Sequence, residues 1–196
     1  MRFATNDALD DLCRALETFD IDSPRLARYL EESKETTFNN LVGRSAELAV
    51  DSVIRDHSLS FWPGTYVEIP DGKETEHYRF SRNGHLEVYR RSDGKPLGSP
   101  DFLLIVDGLP VVIEVKTDRK LIRSTGKSHR TAVYNALSEY FGQNPAYVLV
   151  RTDDDYNSLK DRKNADYLLR NGAKIVCIPF SRQEFRSYVE SMVNEN

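Results

Sequence analysis

The alternation of apolar and polar positions divides the chain into helices and strands before any chemistry is considered. Leu9, Leu12, Leu16 and Phe19 recur at helical spacing behind Thr5 or Asn6, which predicts an N-capped first helix. Asp22-Ser23-Pro24 reads as the start of a second helix, with proline in its first turn. A longer helix is expected over residues 37–57, closed by Trp62-Pro63-Gly64 and followed by a first strand over 65–69. Residues 71–76 form a polar turn, and the short alternating runs 78–80 and 86–89 flank Asn83-Gly84, a hairpin signal. The Gly/Pro/Ser-containing stretch 91–99 reads as a loop. Farther on, the pattern predicts helices over 128–141 and 159–170 and strands over 146–151 and 174–179. Ser181 then caps a last helix that ends near residue 193. Helix and strand in this order predict an α/β fold with one mixed central sheet flanked by helices.

Two apolar, β-branched runs at 102–106 and 111–115 dominate the middle of the chain, bounded by Pro100 and split by Asp107-Gly108. If Val106 faces Val111 across the turn, Asp101 falls opposite Lys116 and Leu103 opposite Glu114. The two-residue period of a strand then brings Asp101, Glu114 and Lys116 out on one face, and a slip of one residue would separate them. Charges on an apolar hairpin are costly unless compensated, and a divalent cation held by the two carboxylates is one compensation. The plainer account is a turn aspartate and a solvent-facing Glu-x-Lys pair. It must explain why Leu103, Ile105 and Val112 share the charged face while Phe102, Leu104, Val106, Val111, Ile113 and Val115 fill the other. A strand apolar on both faces is buried on both.

Pro100-Asp101, twelve intervening residues and Glu114-Val115-Lys116 resemble the signature of the PD-(D/E)xK nuclease superfamily. Gly108-Leu109-Pro110 ahead of the strand ending in Glu-Val-Lys is similar to the nuclease domain of type I restriction motor subunits. The resemblance covers roughly residues 37–180 and implies a restriction endonuclease-like αβββαβ core. Residues 1–36 are then an N-terminal helical extension and 37–196 the nuclease domain. It implies Asp101, Glu114 and Lys116 as the catalytic set. Asp101 and Glu114 would bind Mg²⁺, with Mn²⁺ able to substitute, and the Val115 carbonyl would complete the shell. Glu47, in Gly43-Arg44-Ser45-Ala46-Glu47, is the third carboxylate the resemblance suggests, although a solvated helical glutamate leaves the same pattern. Lys116 would orient the attacking water or stabilise the transition state. The chain departs from the Gln-x-x-x-Tyr pair of the recombination exonucleases, because Tyr140 follows Ala136 at that spacing. Tyr134 and Asn135 are left as phosphate-contact candidates, with a core role the alternative for Tyr134.

Composition sets the remaining bounds. Of 196 residues, 39% are hydrophobic and 30% charged, as in an ordinary globular protein. No apolar run is long enough for a bilayer and residues 1–18 are polar and acidic, so neither a signal nor a membrane anchor is expected. Cys13 and Cys177 lack CxxC spacing, which fits a reduced, cytoplasmic protein without zinc. The net charge of −4 is concentrated in residues 1–35, which hold five basic and nine acidic side chains. Immediately after the motif, Arg119, Lys120, Arg123, Lys127 and Arg130 face only Asp118, a local potential suited to a DNA backbone. Tyr66, Tyr78, Phe80 and Tyr89 either stack on bases or build a core.

The expected activity is a divalent-metal-dependent DNA nuclease, an endonuclease on duplex or branched DNA in repair, recombination or defence, with RNA left open. A homodimer is expected where both strands are cut, since each chain carries one site. The alternative is a non-catalytic nucleic-acid-binding or assembly protein on a nuclease-like scaffold.

Overall fold

Asp107 and Gly108, with φ of 49° and 75°, close the central hairpin as a two-residue turn with both residues left-handed. This is the geometry Asp-Gly favours between strands. The computed structural model describes residues 2–18, 20, 27, 45–57, 64–83, 85–116, 125–152, 159–179 and 181–194. The hairpin strands are β5 (Phe102–Val106) and β6 (Leu109–Lys116), and they pair Val106↔Leu109 through Phe102↔Ile113. The register therefore differs by two residues from the one expected, because Leu109 and Pro110 belong to the strand and not to the turn. A two-residue shift preserves which face each side chain occupies. Pro110 is tolerated here for a local reason. Val106↔Leu109 closes the turn as the hydrogen-bonded pair, so the missing N–H of Pro110 faces the other neighbour, whose pairing begins one residue later.

Around this hairpin the main sheet has the order β1-β5-β6-β7-β8. β1 (Gly64–Tyr66), β5 and β6 are antiparallel, while β6, β7 (Ala146–Thr152) and β8 (Lys174–Ile178) are parallel. The parallel crossovers run through α3 (Thr125–Phe141) and α4 (Leu159–Arg170). α1 (Asp7–Glu17), α2 (Ser45–His57) and α5 (Arg182–Asn194) make five helices among the described residues.

The expectation of one sheet is corrected. β2 (Tyr78–Asn83), β3 (His85–Arg90) and β4 (Pro96–Gly98) form a separate three-stranded antiparallel sheet inserted between β1 and β5. The stretch expected as a loop supplies β4, an edge strand where proline and glycine are tolerated, with an irregularity at Val88/Tyr89.

Each face of the main sheet has its own core. One gathers Leu9, Leu12 and Leu16 of α1, Val50, Val53 and Ile54 of α2 and Val189 of α5 onto Leu104, Val111, Ile113, Val115, Val148 and Val150. The other gathers Leu137 and Ala136 of α3, Leu168 of α4 and Phe80, Val88 and Leu97 of the small sheet onto Leu103, Val112, Tyr147 and Leu149. Side-chain caps start the helices at both ends of the chain, and the first also ties its helix to the sheet. Asn6 caps α1 by accepting from the Leu9 N–H while its Nδ2 donates to the Val106 carbonyl at 3.0 Å. Ser181 and Glu184 exchange bonds as a reciprocal capping box at α5. Apart from Ala27, which is helical, the second helix expected from residue 22 lies outside the described residues, as does the first part of that expected over 37–57.

Candidate active site

β5 runs against β6, so the residue entering β5 and the residues ending β6 share one end of the sheet. This is the carboxyl end of the parallel strands, where open α/β sheets generally bind ligands. Asp101 stands there one residue before β5, and its Oδ2 accepts from the Val115 N–H at 2.7 Å and from Lys116 Nζ at 3.2 Å. Lys116 Nζ also lies 3.0 Å from Glu114 Oε2. Both carboxylates thus converge on one ammonium. The face is the one that Leu103 and Val112 share, as strand alternation requires. Side-chain exposures of 25% for Asp101, 12% for Glu114 and 26% for Lys116 make a recessed site that solvent still reaches.

Burial works to lower the Lys116 pKa, but attraction to Glu114, then to Asp101, with hydrogen bonds to both, outweighs it and holds the pKa above the usual lysine value. The ammonium therefore stays protonated at neutral pH. Asp101 Oδ1 makes no hydrogen bond among the described residues and presents a hard oxygen donor.

The other expected residues are distributed as follows. Val115 points its side chain into the first core while its N–H anchors Asp101. Glu47 is half-buried on α2, whose neighbouring residues pack on the sheet face opposite Glu114. Among the described residues no group of three His, Cys, Asp or Glu able to hold a metal forms, so the acidic set brought together is the pair Asp101 and Glu114. Asp51, one turn beyond Glu47, is buried and structural: it accepts from the Tyr66 hydroxyl and from Arg55 Nε, tying α2 to β1. Arg119, Lys120 and Arg123 lie outside the described residues. Lys127 and Arg130 stand in the first turns of α3, the helix that follows β6. Tyr134 is a core aromatic whose hydroxyl donates to the Arg2 carbonyl, and Asn135 is exposed. Of the four strand aromatics, Phe80 and Tyr78 join the second core and Tyr66 is bound to Asp51, whereas Tyr89 lies on the outer side of the small sheet.

One residue escaped sequence reasoning. Arg151 on β7 is paired in register with Lys116 and is 4% exposed, on the face shared by Tyr147 and Leu149. It sets a second cation one strand away from the ammonium. The available signal was a charged residue ending an otherwise apolar strand, Ala146–Thr152. No helix among the described residues is long and apolar enough to cross a membrane. No protein-family model matches the chain, and no curated protein matches it.

Proposed function

We propose that the protein is a divalent-metal-dependent DNA nuclease, an endonuclease that hydrolyses phosphodiester bonds in repair, recombination or defence. The observation that carries this reading is the meeting of Asp101 and Glu114 at the Lys116 ammonium, at the carboxyl end of the parallel strands. The order α2, β1, β5, β6, α3, β7 is also the αβββαβ order of the restriction endonuclease-like fold that the motif resembles.

Two carboxylates and an open Asp101 oxygen suit Mg²⁺, which takes few protein oxygens and keeps several waters. Asp101 and Glu114 would hold it, with Mn²⁺ able to substitute, and the ion would supply charge neutralisation at phosphorus and a more acidic bound water. The chain's own contributions follow from the contacts. The Val115 N–H fixes one Asp101 oxygen, so the donor is oriented before any ligand arrives. Lys116, held between the two carboxylates, would serve electrostatically, offsetting the charge that grows on the phosphoryl oxygens.

One observation favours the competing reading. The ammonium already pairs with one oxygen of each carboxylate, which is what a purely structural ion triad on a nucleic-acid-binding scaffold would do. Incubating the protein with plasmid, linear duplex, single-stranded, forked and four-way-junction DNA, with Mg²⁺, Mn²⁺ or EDTA, decides between them. Metal-dependent cleavage of any of these that disappears in Lys116→Ala is expected; DNA binding with no cleavage of any substrate in either metal would leave the scaffold reading.

A further inference from the structure

The small sheet carries a second concentration of chemistry. Tyr78, Phe80, Leu86, Val88 and Leu97 turn inward to the second core, so strand alternation sends Arg79, Ser81 and Tyr89 outward, with Arg79 directly across from Tyr89. On that outer side lies a cavity of about 320 Å³, lined by Arg79, Arg90, Arg91, Ser81 and Tyr89 with Glu74 as its acidic wall. Its volume is at the small end of ligand sites, enough for one phosphate with its sugar.

The acids around it are engaged to different degrees: Glu87 on the same face accepts from the Tyr89 hydroxyl and Asp71 also accepts from the Arg82 N–H, whereas Glu74 and Asp93 are held only in exposed pairs. Arg91 Nε lies 3.3 Å from Glu74 and Arg90 Nη1 2.9 Å from Asp93, with all four side chains 43–52% exposed. Asp71 stands at the rim, 3.2 Å from Ser81 Oγ. Exposed pairs of this kind contribute about 0–1 kcal/mol, so an anion able to engage guanidinium forks competes with them at little cost. Arg79 forms no ion pair with a carboxylate among the described residues. The Tyr89 ring beside it offers a face to a base. From Gly94 at the cavity, β4 leads to Asp101 in a stretch of chain that spans at most about 25 Å, a few nucleotides of an extended strand.

We propose that this outer face is a second nucleic-acid contact: Arg79 and Arg91 bind a backbone phosphate of single-stranded DNA, with the adjoining base on Tyr89, and hold that strand a few nucleotides from Asp101. The inference rests on the nucleic-acid part of the function proposed above and not on hydrolysis.

The test is fluorescence anisotropy with a labelled single-stranded oligonucleotide of about 12 nucleotides in EDTA, which separates binding from cleavage. Arg79→Glu should weaken binding about tenfold and lower the salt slope by about one, while Arg79→Lys, which keeps the charge but not the fork, loses less affinity and retains the salt slope. Arg186→Glu, on the exposed side of α5, serves as the charge control and should leave affinity unchanged. Circular dichroism establishes that each variant is folded. Wild-type affinity in Arg79→Glu, or a loss matched by Arg186→Glu, overturns the proposal. So does polyglutamate bound as tightly as DNA in an Arg79-dependent manner, which would assign the cavity to an acidic polypeptide. Loss of affinity in Arg79→Glu with no metal-dependent cleavage by the wild type would keep this contact and sink hydrolysis alone; intact cleavage with unchanged affinity would do the reverse.

Discussion

Asp101 performs two tasks through one oxygen, since Oδ2 accepts from both the Val115 N–H and Lys116. Asp101→Asn keeps the shape but removes the charge, so it should abolish detectable Mg²⁺ binding by calorimetry while retaining the fold. Unaltered Mg²⁺ affinity would show that the carboxylate is not a ligand. Lys116→Ala should lower cleavage at least about 100-fold, the order expected for removing one electrostatic stabiliser from a recessed site, with DNA affinity kept. Glu139 offers a residue-scale test away from the site. Burial works to raise its pKa, but hydrogen bonds from the Thr75 side chain and from the backbone and ring of His77 overcome this and hold it at about 2. A carboxylate whose folded pKa is depressed contributes stability above its unfolded value of 4.5 and loses it as pH falls toward 2. Glu139→Gln should therefore cost about 1 kcal/mol at pH 7 and progressively less below pH 4.5, measured by urea denaturation. A cost that is equal at pH 7 and pH 3 would remove the ionic component.

At the level of elements, the central hairpin was readable because three local signals agree: Asp107-Gly108 as a turn, apolar runs on both sides, and charges spaced to share a face. Its register was not, because Leu109 and Pro110 look like turn residues until β7 is known to begin pairing only at Val111. The small sheet was hidden for a similar reason. Pro96–Gly98 has no strand propensity and pairs only because β3 holds it against the second core. Arg151 acquires meaning only through parallel pairing with Lys116, across a crossover that no local pattern encodes. The turn is the element most open to test. Gly108 has φ of 75° with open space around its Cα, so Gly108→Ala meets no neighbour and acts through backbone strain alone. It should cost about 1 kcal/mol in thermal or urea unfolding without changing the residual activity of the folded protein. A larger loss of activity than of stability would mean that the turn also controls the placement of Asp101.

Across the whole molecule, α1 is built into the first core instead of hanging from it. Leu9, Leu12 and Leu16 are fully buried, Lys174 Nζ on β8 lies 2.7 Å from Asp10, and the Phe3 N–H donates to the Asn171 carbonyl. Cys13 sits in this interface and Cys177 is exposed on β8, so the two thiols report on the same pair of elements from opposite environments. Burial pushes the Cys13 thiol up to about 12, with Lys174 opposing and Asp10 and Glu17 reinforcing the rise. The thiolate is the reactive form, so Cys13 is shielded both by sterics and by ionisation. At pH 8, a maleimide should label Cys177 rapidly while Cys13 reacts only through opening of the α1–sheet interface, slower by about a thousandfold or more if that opening is cooperative. Sub-denaturing urea should leave the first rate nearly unchanged and accelerate the second, as read by mass spectrometry of tryptic peptides. Equal labelling of both cysteines in the native protein would mean that α1 undocks readily, and that the first core is completed without it.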